Sequence, residues 1–475
     1  MDPNLHAQLT GGRSLMGDSL GFHILFALLG VGLPLLISLV ELLGILNKDD
    51  EWYATARRWS FAMGTLFVVG GISGMIISFQ LSLLWPVFMA LAGQVIGLPF
   101  FLEGFAFFIE AIFLGIYLFS WDRFNKWVHW ACSIPLVLGS AASAFFITTA
   151  NAFMNSPQGF TYINGVASDI HPWKAMFNPA TPFETSHSIL AYYLTTTIAV
   201  AAIYALLLLK KKVRADAART AYYKKILTLL MLLGFGLIVA TGLMGHESGQ
   251  YLASNEPLKF AAAEHVLHTE STAPLEYGGI LHGTTIQGAI TIPFGMLSFL
   301  AFNDFHATVK GLDAFDPSTW PPLFIHYPLD IMITIGMFIG AVCTAFFLLF
   351  LARKRRWKIG EWMFARPLLL AIVIAGPLAF IAVECGWMVT EIGRQPYVIR
   401  GIMTTAEAFT TAPNVVVVAS IFPLLYLVLF AVTYWVLSRH YRKPFVMQKY
   451  FTGVLPTSGN PKDLGHKLKD QSTHT

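Results

Sequence analysis

Two carboxylates near the end of one apolar stretch are the first residues here that could do chemistry. Glu384 and Glu391 lie seven residues apart, so they share one face of a helix, and Trp387 precedes Glu391 by one turn on that face. Arg394 follows within a turn, and the glycine and proline around it end the helix. Ionised groups are costly at membrane depth, so this pattern predicts a proton site, an ion site or a metal-ligand shell. An ion pair that anchors a helix end is the structural alternative.

The composition predicts an all-α polytopic membrane protein. Of the 475 residues, 55% are hydrophobic and only 12% are charged, which is more apolar surface than a soluble domain needs. The cysteines Cys132, Cys343 and Cys385 form no CxxC or CxxCH pattern, which argues against disulfides, iron–sulfur clusters and covalently attached haem. The first apolar run is too long for a cleavable signal, and no nucleic-acid partner is expected.

Nine apolar runs are long enough to span a bilayer. Lys and Arg gather in the loops after spans 1, 3, 5 and 7 and in the tail after span 9. The positive-inside rule therefore predicts the N-terminus outside and the C-terminus in the cytoplasm. The predicted spans cover about residues 20–46, 59–83, 98–120, 128–152, 186–209, 226–245, 329–352, 366–389 and 413–438.

One long external loop, about residues 246–328, is predicted between spans 6 and 7. Within this loop, residues 286–302 are apolar but short and interrupted by glycine and proline. We interpret them as a part of the loop that lies along the membrane rather than as a tenth span. The expected domain organisation is a single transmembrane domain, residues 1–440, with the loop inserted, followed by a cytoplasmic tail, residues 441–475.

The predicted orientation brings polar side chains from five spans to a similar depth near the external surface. They are His23, Glu103, His187, Met332 and Glu391. Haem iron takes His and Met as axial ligands, and a His/Met pair is typical of electron transfer. A single His or carboxylate leaves an iron position open for a gas. The pattern indicates a haem protein, with helix caps, interfacial residues and packing residues as the alternative.

Short motifs surround these residues in a fixed order. They are Gly21-Phe-His23, Glu103-Gly-Phe-Ala-Phe-Phe-Ile-Glu110, Trp121-Asp-Arg123, Ser186-His187, Glu256-Pro-Leu-Lys259 through Glu264, Asp330-Ile-Met332, and Gly386-Trp387 with Glu391-Ile-Gly-Arg-Gln-Pro396. With these motifs the sequence resembles subunit I of the cytochrome bd-type quinol oxidases over about residues 15–440. The family shares the nine-span topology with an external N-terminus.

The resemblance implies three haems. His187 and Met332 would be the axial ligands of a low-spin haem b. His23 and Glu391 would bind the iron of two high-spin haems, either haem b and haem d or haem b in place of d. Which of the two residues holds which high-spin haem stays open.

The resemblance also implies roles for residues around the haems. Glu103 would line the oxygen site, and Arg394 and Trp387 would support the high-spin pair. Glu110 lies two turns beyond Glu103 on the same face, about 10 Å deeper, and we predict that it relays protons. A helix-packing glutamate is the alternative for Glu110.

Two loop residues and the overall reaction complete the implied assignment. Lys259 and Glu264 would contact the quinol, which needs a base for its protons and a donor for its oxygen. The expected protein is the haem-bearing subunit of a terminal respiratory oxidase in the bacterial inner membrane. It would oxidise quinol at the external face and reduce oxygen to water with cytoplasmic protons, generating proton motive force. A second large membrane subunit (subunit II) is the expected partner, with a small single-span subunit as an optional one.

Two other functions fit parts of the pattern. An ion-coupled transporter would use intramembrane carboxylates, although it would place them near the midplane. A haem b anchor for a partner dehydrogenase would need paired histidines and gives Glu391 no role.

Three features depart from the family pattern. The Arg usual two residues before the Met ligand is Asp330, the Trp usual after Gly-Arg-Gln-Pro is Tyr397, and the external loop is short, as in the cyanide-insensitive branch. These departures bear on haem potential, chlorin content and inhibitor response rather than on the reaction class.

Overall fold

A computed structural model describes residues 3–163, 165–410, 414–442 and 450–451 of the chain. Within these residues nine helices are long and apolar enough to cross a membrane, which confirms the predicted all-α fold with nine spans. We label the long helices α1 to α9. They are Pro3–Asn47, Asp50–Leu84, Gly97–Phe119, Ser133–Asn155, Thr181–Leu209, Ala217–Asn255, His326–Lys354, Arg366–Ile392 and Val415–Arg442.

Several helices extend beyond the predicted spans. The clearest case is α6, which was predicted over residues 226–245 and runs from Ala217 to Asn255. Its apolar middle continues into polar turns that a hydropathy pattern does not include. The loop to α7 therefore begins at residue 256, and the predicted start at 246 was wrong. Most of the predicted tail, residues 443–449 and 452–475, lies outside the described residues.

The short elements connect the long helices. The helices are Pro86–Val95, Lys126–Ala131, Pro172–Met176, Lys211–Arg214, Pro257–Ala263, Met296–Phe302 and Thr405–Ala408, and the 3₁₀ turns are Leu312–Ala314, Pro317–Thr319, Leu323–Ile325 and Lys358–Phe364. All strand pairs are antiparallel: Thr161–Ile163 with Val166–Ser168, Glu270–Ser271 with Thr308–Val309, Leu275–Tyr277 with Ile290–Ile292, Ile280–His282 with Thr285–Gln287, and Tyr397–Ile399 with Met403–Thr404.

The apolar stretch 286–302 forms no spanning helix. It contributes two short strands and the seven-residue helix Met296–Phe302. Leu297 and Ala301 of that helix are buried in a small core that the loop shares with Ala253 of α6 and Val389 of α8. We call residues 275–292, which form the two central strand pairs, the hairpin arm.

The hairpin arm is tied to the first turns of α7. The Gly278 amide donates to Asp330 Oδ2 at 2.6 Å, and the Leu281 amide donates to the Tyr327 hydroxyl at 2.6 Å. Asp330 thus holds the backbone of the arm. The arm is fixed to the helix that carries Met332, two residues further along.

A buried ionic cluster joins three helices at the opposite end of the bundle. Glu41 of α1 contacts His129 Nδ1 through Oε1 at 2.6 Å and accepts the Tyr117 hydroxyl through Oε2 at 2.6 Å. His129 Nε2 also meets the Tyr117 carbonyl at 3.0 Å, so both ring nitrogens face oxygen acceptors. All three side chains are fully buried. Because each polar group has a partner, the cluster joins α1, α3 and the short helix Lys126–Ala131 without an unpaired charge.

We expect Glu41→Leu to destabilise the protein strongly, because it leaves the imidazole and the phenol buried without an acceptor. The cost should be about 3–5 kcal/mol, measured as a lower unfolding midpoint of the purified protein. The matched control is Asp122→Asn, which weakens the exposed Arg57–Asp122 pair and should cost about 0–1 kcal/mol. Equal midpoints for both variants would show that the Glu41 cluster does not hold the helices together.

Candidate functional site

His23 lies on α1 against a small-residue surface of α2. Its Nδ1 is 3.0 Å from the Ser73 hydroxyl, which itself donates to the Val69 carbonyl at 2.9 Å. The contact with Ser73 fixes the orientation of the His23 imidazole against α2. A neutral imidazole with a fixed second nitrogen is the form that binds a metal.

His187 and Met332 each pack against a glycine of a neighbouring helix. A Cβ at Gly245 of α6 would lie 3.2 Å from His187 Cε1, and a Cβ at Gly386 of α8 would lie 3.1 Å from Met332 Sδ. His187 Nδ1 is buried and has no hydrogen-bond partner among the described residues. Glycine at these positions lets each candidate ligand approach the neighbouring helix more closely than a residue with a side chain would allow.

The carboxylates Glu384 and Glu391 face different helices. Glu384 points towards α1, where a Cβ at Gly21 would lie 3.5 Å from its Oε2. Glu391 accepts a hydrogen bond from the Asn151 amide of α4 on Oε1 and one from Arg394 Nη2 at 2.5 Å on Oε2. The tertiary structure thus separates two carboxylates that share a helix face.

Arg394 is poised to bind a second anion. It is 4% exposed, and only one of its terminal nitrogens binds Glu391. Its Nε and Nη1 are buried without a partner in the described part of the chain. A buried guanidinium with unpaired N–H groups is costly, so it suits an anionic group such as a haem propionate.

Three further predicted residues have contacts of their own. Trp387 donates from Nε1 to the Tyr192 hydroxyl at 3.0 Å, which ties α8 to α5. Glu103 accepts from Ser143 at 3.1 Å. Glu110 is 6% exposed and lies where α3 and α4 approach closely, since a Cβ at Gly139 would be 3.4 Å from the Glu110 Cβ.

The two predicted quinol residues have different surroundings. Lys259 is 5% exposed, and its ammonium group donates to Asn155 Oδ1 at 3.0 Å and meets Glu256 at 3.3 Å. Glu264 follows the same short helix, and part of its side chain reaches solvent while its carboxyl group is enclosed. Burial raises the pKa of Glu264 to about 8, and the negative charge of Asp330 adds to that rise.

The structure thus brings some predicted residues together and leaves others apart. Glu391, Arg394 and Lys259 belong to one polar network. Among the described residues, no hydrogen bond links His23, His187 or Met332 to that network, and no group of three or more His, Cys, Asp or Glu could hold a bare metal ion. This donor set suits iron that is already held by a porphyrin and needs only axial ligands.

Sequence reasoning missed several polar residues of this network. Asn151 and Asn155 recur at i and i+4 in an apolar span, and Glu184 lies one turn before His187. Glu256 is fully enclosed and pairs with Lys259. Polar residues at helical spacing in a span were the available signal, but their partners lie on other helices and cannot be read from one segment.

These features define a class: a multi-pass membrane protein whose partly buried imidazole, thioether and carboxylate groups are suited to haem iron. Known proteins agree with that class. A family model described as cytochrome bd terminal oxidase subunit I matches residues 12–445.

Relatives and a solved structure extend the comparison. A putative cytochrome bd menaquinol oxidase subunit I of Bacillus subtilis (strain 168) is 38% identical over 435 residues, 91% of this chain and 96% of that protein. A cytochrome bd ubiquinol oxidase subunit 1 of the same organism is 30% identical over 432 residues, 88% of each. The structure of bd oxidase from Geobacillus thermodenitrificans matches with a TM-score of 0.86 and 43% identity, over 92% of this chain and 99% of that one.

This chain therefore belongs to the cytochrome bd terminal oxidase subunit I family. Family membership confirms the predicted function: the chain is a subunit of a terminal respiratory quinol:oxygen oxidoreductase in the bacterial inner membrane. The family implies haem cofactors and a quinol substrate, and subunit I functions with a subunit II. The transporter and the dehydrogenase anchor, weighed above as alternatives, are not supported.

We expect Gly245→Val to displace the His187 imidazole, because the new side chain would fill the space that glycine leaves. The low-spin component should be lost from the reduced-minus-oxidised spectrum of the purified oxidase. Gly242→Val is the matched control, since a Cβ at Gly242 meets nothing within 4 Å on the same helix. A normal low-spin spectrum in the Gly245 variant would show that His187 is not the ligand.

Proposed function

We propose that the chain oxidises quinol at its external loop and holds three haems near the same end of the bundle. His187 and Met332 would hold a low-spin haem b, and His23 and Glu391 two high-spin haems, b and d or b in place of d. Bound there, haem supplies one-electron transfer and an iron position for oxygen. Oxygen would be reduced to water with cytoplasmic protons, generating proton motive force.

The observation that carries this proposal is the buried Arg394 guanidinium, which is only partly neutralised by the half-buried Glu391. Two nitrogens of the guanidinium are unpaired among the described residues, and a propionate would satisfy them. Glycines also let the candidate ligands pack closely against neighbouring helices, because a Cβ at Gly74, Gly245 or Gly386 would lie within about 3.2 Å of His23, His187 or Met332. The unpaired charge of Arg394 thus favours an anionic occupant.

Three carboxylates of the chain would act on quinol, oxygen and protons. Glu264 would accept a quinol proton, and the loop would hold the quinol ring near it. On the oxygen side, Glu103 would line the gas site and Glu110 would pass protons towards it. Trp387 would help fix the high-spin pair through its bond to Tyr192.

The organisation of the chain is part of the proposal. Residues 1–440 would form one domain with an external N-terminus, and residues 441–475 a cytoplasmic tail. Subunit II would be joined by an optional small single-span subunit. The relatives are named for menaquinol in one case and ubiquinol in others, so the proposal is for a quinol without a choice between them.

We expect quinol-dependent oxygen uptake to rise with pH through the pKa of Glu264. The raised pKa of about 8 keeps this carboxyl mostly protonated at neutral pH, and only the ionised form can accept a proton. Activity should therefore increase from about pH 6.5 to about pH 9 with an inflection near the pKa. His265, His326 and Asp330 surround the same loop position and must be titrated alongside it.

Glu264→Gln should abolish that inflection and slow quinol turnover about 100-fold, with all haem bands intact. Artificial donors that bypass the loop should still support oxygen reduction. The control is Glu270→Gln, an exposed carboxylate of the same loop. Wild-type quinol oxidation by the Glu264 variant would place the quinol site elsewhere.

Glu110→Gln keeps the side-chain volume but cannot carry a proton. A relay role predicts normal haem spectra with oxygen consumption slowed about 10-fold or more. Glu247→Gln, at an exposed position of α6, is the matched control and should retain full turnover. If the Glu110 variant turns over and moves charge across the membrane at wild-type rates, Glu110 is a packing residue.

A further inference from the structure

The hairpin arm has an apolar face in its first strand pair. Side chains alternate between the two faces of a sheet, and residues that pair directly across two strands share a face. Tyr277 pairs with Ile290, and Leu275 pairs with Ile292, so these four side chains lie on the same face. Ile290 is 66% exposed and Ile292 38%. Exposed apolar side chains grouped in this way indicate a contact surface.

The opposite face of this strand pair is polar and faces the rest of the loop. Glu276 pairs with Thr291 on that face. Glu276 Oε2 lies 3.8 Å from His265 Nδ1, and His265 directly follows Glu264 in the chain. The strand pair is therefore an amphipathic sheet whose apolar face is directed away from His265.

Tyr277 fixes where the apolar face points. Its hydroxyl is hydrogen-bonded to the Thr334 hydroxyl and lies 3.4 Å from the Asp330 carbonyl oxygen. Thr334 is one turn beyond Asp330 on α7, further from the start of the helix. The apolar face therefore lies against the side of α7 rather than above its end.

The arm covers one end of an exposed stripe along α7. The stripe consists of residues that recur at helical spacing and so share one face of the helix: Asp330, Thr334, Met337, Ala341 and Leu348. Met337 is 63% exposed and Leu348 58%, and Thr334 and Ala341 are exposed as well. An exposed face that is mainly apolar along a spanning helix is one that lipid or another membrane protein covers.

Met332 lies on the other side of α7. It is two residues from both Asp330 and Thr334, a rotation of about 200° on an α-helix. Its sulfur atom faces Gly386 of α8. A haem at Met332 and the hairpin arm would therefore contact different faces of α7, and the exposed stripe is not part of the proposed haem site.

The length of α7 gives the depth of the contact. From Thr334 to Arg353, in the basic last turn of α7, the helix rises about 30 Å. This rise is about the thickness of the hydrocarbon core of a bilayer. With the basic end at one surface, Thr334 lies at the opposite edge of the hydrocarbon. Tyr277 reaches that level, where the apolar ring and polar hydroxyl of tyrosine are typical.

A second membrane subunit has a larger apolar face available elsewhere. The buried residues of α9 are Val415, Tyr426 and Thr433, so most of that helix is exposed. Helix α9 packs against α1 and α2, whereas α7 packs against α6 and α8. The stripe on α7 and the surface of α9 therefore belong to different parts of the bundle, which favours lipid at α7.

We propose that the apolar face of the hairpin arm inserts into the lipid leaflet at this end of the bundle, which is the external leaflet in the proposed orientation. Lipid chains cover Ile290 and Ile292 and continue along the exposed stripe of α7. Glu276 stays on the loop side. The arm thus separates the bilayer from the residues around Glu264.

The test uses the assembled oxidase in nanodiscs of phosphatidylcholine and phosphatidylglycerol, without quinol. Nitroxide labels are attached to Ile290→Cys, Thr291→Cys and Ile292→Cys, each in a Cys132→Ser background, because the other two cysteines are buried. Power-saturation EPR measures the accessibility of each label to O2, which concentrates in lipid, and to a water-soluble nickel chelate. The labelled parent without a new cysteine supplies the background signal.

The accessibilities should alternate along the strand. Labels at Ile290 and Ile292 should be accessible to O2 and protected from nickel, and the label at Thr291 should show the reverse. Ser318→Cys, in an exposed turn of the same loop, is the control for a water-exposed label. All of these positions are exposed, so the substitutions should leave the fold intact.

Two results would overturn the proposal. Nickel accessibility at Ile290 and Ile292 equal to that of the Ser318 control would place the apolar face in water. Immobilised labels at Ile290 and Ile292 that neither reagent reaches would show that a protein surface, such as subunit II, covers the face.

A second measurement tests whether the arm acts on quinol entry. Ile290→Glu places a charge on the lipid side and should raise the KM for a long-chain quinol dissolved in the bilayer severalfold, but not the KM for a short-chain, water-soluble quinol. Thr291→Glu is the matched control. This consequence rests on the proposed quinol role of Glu264, whereas the EPR result does not. If the labels report lipid and the KM is unchanged, the membrane contact is confirmed and the role in quinol entry is wrong.

Discussion

The structure depends on one constraint: hydrocarbon cannot solvate a charge, so each buried ionic group must find its partner within the protein. The Glu391–Arg394 pair shows how this is met at the end of the bundle where the candidate ligands lie, and the Glu41–His129 pair shows it at the other end. Glu41 and His129 lie on helices that are distant in sequence, and Glu391 is linked to α4 through Asn151. The ionic groups in this protein therefore also hold helices together.

Because buried charges need partners, a buried polar group that lacks one is informative. At the Glu41 cluster every polar group has a partner, as expected of a structural site. Arg394 instead keeps two unpaired nitrogens in a buried position. This deficit is the reason for the proposal that a bound anionic group completes the site. Glycines let the candidate ligands pack closely against neighbouring helices.

The loop between α6 and α7 is hydrogen-bonded to the helices that carry candidate ligands. Its hairpin arm is bonded to α7 through Asp330, and the Lys259 side chain of its first short helix reaches Asn155 of α4. Asp330 thus has a structural role in fixing the arm. Glu264 remains the loop residue with both an enclosed carboxyl group and access to solvent.

The sequence alone determined the number of spans, because hydropathy is a local sum that does not depend on neighbouring helices. Motif order also identified the family and the candidate ligands, including His187 and Met332. The end of α6 at Asn255 was missed, since a helix can continue into polar turns where hydropathy no longer marks it. Only the tertiary structure could show Lys259 bonded to Asn155 and Glu384 turned away from Glu391. Such pairings depend on how helices rotate and align against one another, and no single segment encodes that alignment.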